Sequence, residues 1–369
     1  MCLRVIKGKE AILIFQIGSL GDTIISMPCY REIARRHPEA ERYLLTNFPN
    51  GSKSVSAGAV LTPTGVITGT IEYAMYMRRP KYVAKLYSKI SKLKPTTLYY
   101  LVPVKKLTHM VRHYAFFRIC GISRIYGVPW SRDLRFPREV IEGELWESEA
   151  SRLLRAIGVN AQPEPPPEAD RDLVVTDEER RKAESALQQI DDLDQFVAIS
   201  MGGKIPIKQW AKRNWEYLLS ELSREHPGLG AVFVGSADER GRNDLLAEAW
   251  RGPKFNSCGL FSPRETAALL ERARLFIGHD TGTLHLAAAV GTRVIGIYSA
   301  REVPGKWFSD RIKDVFFYHR TECFGCECVE IAECPRDRLC MTAIDPDKVV
   351  AAAKAELARD GALIARSQT

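Results

Sequence analysis

Chemistry is concentrated in His279-Asp280-Thr281-Gly282-Thr283-Leu284-His285, where a carboxylate, two hydroxyls, a glycine and two imidazoles crowd together. The apolar run Leu275 to Ile277 reads as a buried strand leading into a polar turn, Gly278 to Gly282. Thr283 to Val290 then reads as a helix stopped by Gly291, and Val294 to Tyr298 as a second strand. Such a unit puts its polar residues at the carboxyl end of a strand and at a helix N-terminus, where free N–H groups face anions. Asp280, Thr281, Gly282, Thr283 and His285 are therefore placed to hold a nucleotide or a phosphate. Simple capping of the helix by Asp280 or Thr281 would use the same residues without a ligand.

A second carboxylate, Asp22, closes Gly18-Ser19-Leu20-Gly21, between an apolar strand at Ala11 to Ile17 and an amphipathic helix at Thr23 to Arg36. No Gly-x-Gly-x-x-Gly can be written there, so the loop is not a dinucleotide fingerprint. An acid beside a bound anion is unfavourable. Asp22 reads instead as a proton acceptor at the edge of a site, or as a helix cap. Further on, Phe196 to Ser200 runs into Met201-Gly202-Gly203-Lys204, with Lys208-Gln209-Trp210 behind it. Ala231 to Val234 runs into Gly235-Ser236-Ala237-Asp238-Glu239. With the Gly278 turn, three polar, glycine-containing strand ends follow one another, and a parallel sheet would bring them to one crevice.

The elements that must position these residues alternate along the chain. Arg42 to Thr46 reads as a second strand, and 47 to 70, rich in Gly, Ser, Thr and Pro, as an extended loop. Helices are expected at 147–158, 176–189 (opened by a Thr176/Glu179 capping box), 214–226, after Glu239 to Trp250, at 263–272 and at 347–365. Gln162-Pro163-Glu164-Pro165-Pro166-Pro167-Glu168-Ala169-Asp170 reads as a stiff linker whose prolines forbid a helix or central strand. The expected organisation is a domain over 1–161, the linker 162–170, a second domain over 171–345 and a closing helix over 346–369.

At 369 residues the chain exceeds one ordinary core, and two domains of roughly 150 to 200 residues are expected. The net charge of +8 favours an anionic partner. The charge is concentrated between Tyr73 and Arg132, where no Asp or Glu occurs and basic residues alternate with tyrosines and phenylalanines. No nucleic-acid motif accompanies them, so an anionic membrane surface or a phosphorylated acceptor explains the run as well. Solvated helix faces would account for part of it. No apolar stretch is long enough to span a membrane, and the N-terminus lacks the apolar core of a secretory signal. A cytoplasmic protein with peripheral membrane contact is expected. Five of the nine cysteines, Cys323, Cys326, Cys328, Cys334 and Cys340, fall in one segment. Their spacing allows a structural zinc but lacks a matching second pair, and buried free thiols fit better than a metal or a disulfide.

Three of these motifs resemble glycosyltransferase family 9, the heptosyltransferases of the lipopolysaccharide inner core. Ile14-Phe-Gln-Ile-Gly-Ser-Leu-Gly-Asp-Thr-Ile-Ile-Ser-Met-Pro28 is similar to the family's N-terminal signature. His279-Asp-Thr-Gly-Thr-Leu-His-Leu-Ala-Ala-Ala-Val-Gly-Thr292 is similar to its Asp-(Ser/Thr)-Gly-x-x-His-Leu-Ala-Ala signature, the most specific of the three. The late cysteines ending in Cys340-Met-Thr-Ala-Ile344 resemble a third. The resemblance implies an α/β GT-B fold: two facing doubly wound, Rossmann-like domains with an interdomain cleft, the first binding the acceptor and the second the nucleotide-sugar.

By the same resemblance Asp22 falls on the catalytic base. Ser200, Met201, Lys204, Lys208, Glu239, Asp280, Thr281, Gly282, Thr283 and His285 fall on the donor side, with Met201 a departure from the family's hydroxyl residue. Gly18, Ser19 and Gly21 fall on the acceptor side, where Arg78 and Arg79 of the basic run are also expected. The expected activity is inverting, metal-independent transfer of a sugar, heptose from ADP-heptose first, onto an anionic glycolipid precursor at the cytoplasmic membrane face, with no cofactor and no nucleic-acid partner. A family 9 transferase with another donor or acceptor, or a non-catalytic nucleotide- or polyanion-binding protein, would share these signatures.

Overall fold

The computed structural model describes residues 9–47, 55–73, 80–103, 106–159, 162–191, 193–311 and 313–367; Arg78 and Arg79 lie outside them. The chain divides into two compact units, Met1–Arg171 and Asp172–Thr369.

Unit 1 opens with β1 (Ala11–Phe15), α1 (Leu20–Ile25), α2 (Met27–Arg36), β2 (Glu41–Asn47), α3 (Ala57–Leu61) and β3 (Gly69–Tyr73). It continues with α4 (Pro80–Leu93), β4 (Thr97–Tyr100), α5 (Leu107–Ile119) and β5 (Arg124–Tyr126). The five strands form one parallel sheet in the order β3-β2-β1-β4-β5. β1 is buried at every position, as a strand covered on both faces must be. Leu13 and Phe15 pack under α4 and α5 with Leu86, Ile90, Met110 and Phe117. Ile12 and Ile14 point the other way, onto Met27, Tyr30 and Ile33 of α2. The unit is completed by α6 (Arg132–Arg135), the antiparallel pair β6 (Glu139–Ile141) and β7 (Leu145–Trp146), α7 (Glu149–Ala156) and α8 (Glu168–Arg171).

Three local expectations differ from the structure. The helix expected over 23–36 is two helices that meet at Ser26, because Pro28 sits in the first turn of α2; its ring has no N–H to give and would clash with the carbonyl one turn back. The 47–70 stretch contains α3 and the first two residues of β3, an edge strand in which only Ile71 is fully buried, so its composition lacks the apolar run of a central strand. The proline-rich segment ends in a helical turn, α8, which begins after Pro167, where the ban on helix no longer applies. Asp170 of that turn receives both Arg35 Nη atoms, at 2.7 and 2.8 Å.

Unit 2 contains α9 (Asp177–Leu187), β8 (Phe196–Ser200), α10 (Lys212–Glu225), β9 (Gly230–Phe233), α11 (Arg240–Ala247), β10 (Lys254–Asn256) and α12 (Pro263–Glu271). Then follow β11 (Leu275–His279), α13 (Gly282–Ala289), β12 (Val294–Tyr298), β13 (Val315–Tyr318), α14 (Leu339–Thr342) and α15 (Pro346–Ser367). Its six strands are parallel in the order β10-β9-β8-β11-β12-β13. Trp215, Leu218 and Leu222 of α10, with Val349, Ala353 and Leu357 of α15, close one face over Val197, Ile199 and Ile277. β8 and β12 span the residues expected for them. β11 runs two residues further than expected, since Gly278 pairs with Ser200 and Gly296, and His279 with Ile297.

In both sheets the strand order reverses direction at one place, between β1 and β4 in unit 1 and between β8 and β11 in unit 2. Helices leave to opposite faces at such a switch point, which opens a crevice at the carboxyl ends of the two strands. The Gly18–Asp22 loop follows β1, and the residues after Ser200 and His279 follow β8 and β11. The candidate residues thus stand where the topology makes room for a ligand.

Candidate active site

In unit 2 the site is built around Asp280, the first residue past β11. Its carboxylate is buried, takes the Lys208 ammonium at 2.5 Å on one oxygen and lies 3.3 Å from His285 Nε2 on the other. Burial alone would push this acid up; Lys208 and the His285 hydrogen bond outweigh it and hold the carboxyl well below the usual range. Asp280 is therefore a permanent anion with both oxygens engaged. Its work is to aim Lys208 and fix the His285 ring.

A ladder of hydroxyls lies next to it. Ser200 Oγ at the end of β8 is 2.8 Å from Thr283 Oγ1, which is 2.8 Å from Thr281 Oγ1. Thr281 holds the N-cap position of α13 in extended conformation with no side-chain capping hydrogen bond, and Gly282 begins the helix. The first-turn N–H groups of α13, the ladder and Lys208 are the donors that a diphosphate requires. Lys204 is exposed; of the two lysines, Lys208 is the one that reaches Asp280. Met201 turns its side chain into the core beside Trp210 and Trp215, so a contact from this position is left to its backbone.

Glu239 forms the third side. Its carboxylate accepts from Ser236 N at 2.8 Å and lies across Gly202: a Cβ there would stand 1.9 Å from Glu239 Oε1. Glycine at 202 is what allows the strand-end loop to pass beneath the acid. Arg242 Nη1 donates to Gln209 Oε1 at 2.7 Å and steadies the turn that carries Lys208.

His279 carries no role in the sequence reading, yet it joins these pieces. It is fully buried; Nε2 accepts from Trp210 N at 2.9 Å and Nδ1 lies 3.2 Å from the Gly202 carbonyl. Those partners require Nδ1–H and a neutral ring, with Nδ1 as donor and Nε2 as acceptor. Burial lowers its pKa to about 4. One side chain thus ties β11 to the glycine loop and to the turn behind Lys208. The available signal was its place beside Asp280 at the end of an apolar strand.

In unit 1, Asp22 lies in the first turn of α1. One carboxylate oxygen receives Ser19 N at 2.5 Å and Ser19 Oγ at 2.7 Å, and Gly18 N donates to Asn47 Oδ1 at 3.2 Å. Ser19 holds the N-cap position and Asp22 reaches back to it from the third helical residue, a capping box in place of the Asp22 N-cap that the alternative reading expected, and it uses one oxygen only. The segment after β1 is partly exposed, with Gly18 and Ser19 open and Gly21 buried in the first turn of α1. Each of the eight described cysteines is a free thiol, but of the late five only Cys340 is buried as expected; Cys326 is exposed and Cys323, Cys328 and Cys334 are half-buried. Among the described residues no His, Cys, Asp or Glu cluster is arranged to hold a metal.

Two doubly wound units, with polar groups gathered at each switch point, are the parts of a GT-B fold. The sequence model of glycosyltransferase family 9 (heptosyltransferase) matches residues 117–316, more than half of the chain. The chain belongs to this family and is a glycosyltransferase. Among curated proteins none matches its sequence significantly.

Solved structures share the fold. A family 9 glycosyltransferase from Veillonella parvula DSM 2008 superposes with a TM-score of 0.72 at 16% identity, covering 96% of this chain and 100% of its own. The ADP-heptose lps heptosyltransferase II of E. coli does so at 0.68 and 18%, over 95% and 99%. The E. coli heptosyltransferase WaaC, with ADP-2-deoxy-2-fluoro heptose, does so at 0.57 and 14%, over 84% and 93%.

Proposed function

We propose that the chain is an inverting, metal-independent glycosyltransferase that moves heptose from ADP-heptose onto an anionic lipopolysaccharide core precursor at the cytoplasmic membrane face. The observation that carries the donor half is the Lys208–Asp280–His285 cluster beside the Ser200–Thr283–Thr281 ladder, at the switch point of unit 2. ADP-heptose comes from the relatives: the WaaC structure contains a fluorinated ADP-heptose.

The residues supply the chemistry in order. Asp22 accepts the proton of the acceptor hydroxyl as that oxygen attacks the anomeric carbon from the face opposite the leaving group. The bond from that carbon to the diphosphate breaks, and its electron pair goes to the phosphate oxygen. Lys208, the ladder and the α13 N-terminus stabilise the charge that develops there, the part a divalent cation plays elsewhere. A carboxylate is a weak base for a hydroxyl, so proton transfer accompanies bond formation and positioning contributes much of the rate. The second oxygen of Asp22, outside the Ser19 hydrogen bonds, is the one for the proton.

Replacing Asp22 with Asn is expected to lower turnover by about 10²- to 10⁴-fold and to leave ADP affinity within about two-fold, since the donor groups lie on unit 2. Turnover near the wild-type rate in that variant would remove Asp22 from the base role. The second reading, another nucleotide-sugar, draws on Met201, which places no hydroxyl at the diphosphate. Calorimetry with ADP, UDP and GDP separates the two readings, with ADP expected to bind tightest.

A further inference from the structure

In unit 1, α4 and α5 cover the same side of the sheet, and both turn an uncapped face outward. On α4 the buried residues are Leu86, Ile90 and Leu93, while Lys81, Lys85, Lys89 and Lys92 line one flank of the helix at helical spacing, Lys89 half-buried and the other three exposed. On α5, Met110 and Phe117 face the sheet. Its outer side carries Leu107, Val111, Ala115 and Ile119, four apolar residues at successive intervals of one turn. Leu107 is 47% exposed, Val111 55% and Ile119 70%. Arg112 and Arg118 flank this ridge, and Trp130, itself exposed, packs edge-on against Tyr114 of the same helix at 5.2 Å. No acidic residue occurs from Tyr73 to Arg132.

A ridge of Leu, Val and Ile in water is unfavourable by itself, and a face meant only for solvent has no use for it. A bilayer surface accounts for both helices at once: apolar side chains and a tryptophan enter the headgroup boundary while lysines and arginines meet anionic lipid. Nucleic acid would answer the charge and leave the ridge unexplained. A second copy of the chain would cover the ridge, but it would set one lysine stripe against another. We propose that the outer faces of α4 and α5 form a docking surface for an anionic lipid bilayer. This deepens the reading above and rests on it only for the identity of the acceptor. The carboxyl ends of β1 and β4 lie on one edge of the sheet, so the ridge begins at Leu107 on the edge where Asp22 stands, and docking there would bring a lipid-borne acceptor to the base.

The test is co-sedimentation of the full chain with vesicles of phosphatidylcholine alone or mixed with phosphatidylglycerol, for wild type, K85E/K89E/K92E and V111S/I119S. Wild type is expected to partition onto the mixed vesicles and not onto phosphatidylcholine. The lysine reversals are expected to weaken partition at least ~10-fold. V111S/I119S weakens it as well, and what remains is abolished by added salt because only charge is left. Unchanged partition in either variant overturns the proposal. So does duplex RNA that displaces the protein from vesicles as well as excess lipid does, or self-association abolished by V111S/I119S without lipid binding. All three proteins are also assayed for transfer to a lipid-free acceptor fragment. Transfer retained with partition lost isolates the surface; partition retained in a wild type that transfers from no nucleotide-sugar defeats the functional reading and leaves the surface standing.

Discussion

Asp280 is held so firmly that it bears on stability as well as on binding. Its side chain is 8% exposed and that of Lys208 16%, and the two are in direct contact. Removing Lys208 alone leaves a buried carboxylate without its charge partner, a change that costs about 3–5 kcal/mol in comparable settings. Lys208→Met is therefore expected to lower the denaturation midpoint and to weaken nucleotide binding together. Lys208→Met with Asp280→Asn should recover most of the stability and none of the binding. Equal midpoints for the single and the double variant, measured in urea, would contradict this arrangement.

His279 makes a separate prediction through pH. Its pKa is about 4 in the fold and about 6.5 in the unfolded chain. Above pH 6.5 both states hold a neutral ring and the residue adds no pH dependence. As pH falls through this window the unfolded state takes up the proton first, so stability is lost, by roughly 3 kcal/mol at most by pH 4. His279→Gln, which can still donate to the Gly202 carbonyl and accept from Trp210, should flatten that slope between pH 6.5 and 4 while keeping nucleotide affinity. His279→Val should lose affinity at neutral pH as well. A slope identical in wild type and His279→Gln would show that this ring stays uncharged in both states or charged in both.

Elements carry the site by close approach. The loop after β8 passes under Glu239 only because residue 202 has no side chain. Gly202→Ala is expected to push the Glu239 carboxylate off the loop and lower nucleotide affinity about ten-fold or more, with β8 itself intact; unchanged affinity would mean that Glu239 takes no part in the donor site. Elements of this half were legible in the chain because their signals are local. β8 and β12 are unbroken apolar runs, Thr176 and Glu179 form the capping box they spell out, and the Gly291 stop follows α13. Elements of the first half were less so. The Ser26 break depends on one proline inside an otherwise continuous amphipathic pattern, and β3 takes its strand character from pairing with β2. His279 escaped notice because its role is set by Trp210 and Gly202, far away in the chain. Asp22 shows the limit from the other side: the capping-box partner of Ser19 and a base need the same residue at the same place, so no pattern could separate them.

At the scale of the whole molecule, the repeated architecture is the main finding. Each unit is a parallel sheet with one switch point, and each switch point gathers a different chemistry: a half-open carboxylate in unit 1, cationic and hydroxyl groups at a helix N-terminus in unit 2. The charge of +8 is not spread evenly; its acid-free run supplies the outer helices of unit 1. Such a division suits a transferase with one small phosphorylated donor and one large acceptor. The most direct test is to incubate the protein with ADP-heptose and a heptose-deficient lipopolysaccharide precursor, and to read the product's anomeric configuration by NMR. One added heptose is expected, with its configuration inverted relative to the donor, in metal-free buffer with chelator present, and no product from Asp22→Asn on the same timescale. Retention of configuration, a chelator-sensitive reaction, or no transfer from any nucleotide-sugar by a protein that binds ADP would contradict that expectation.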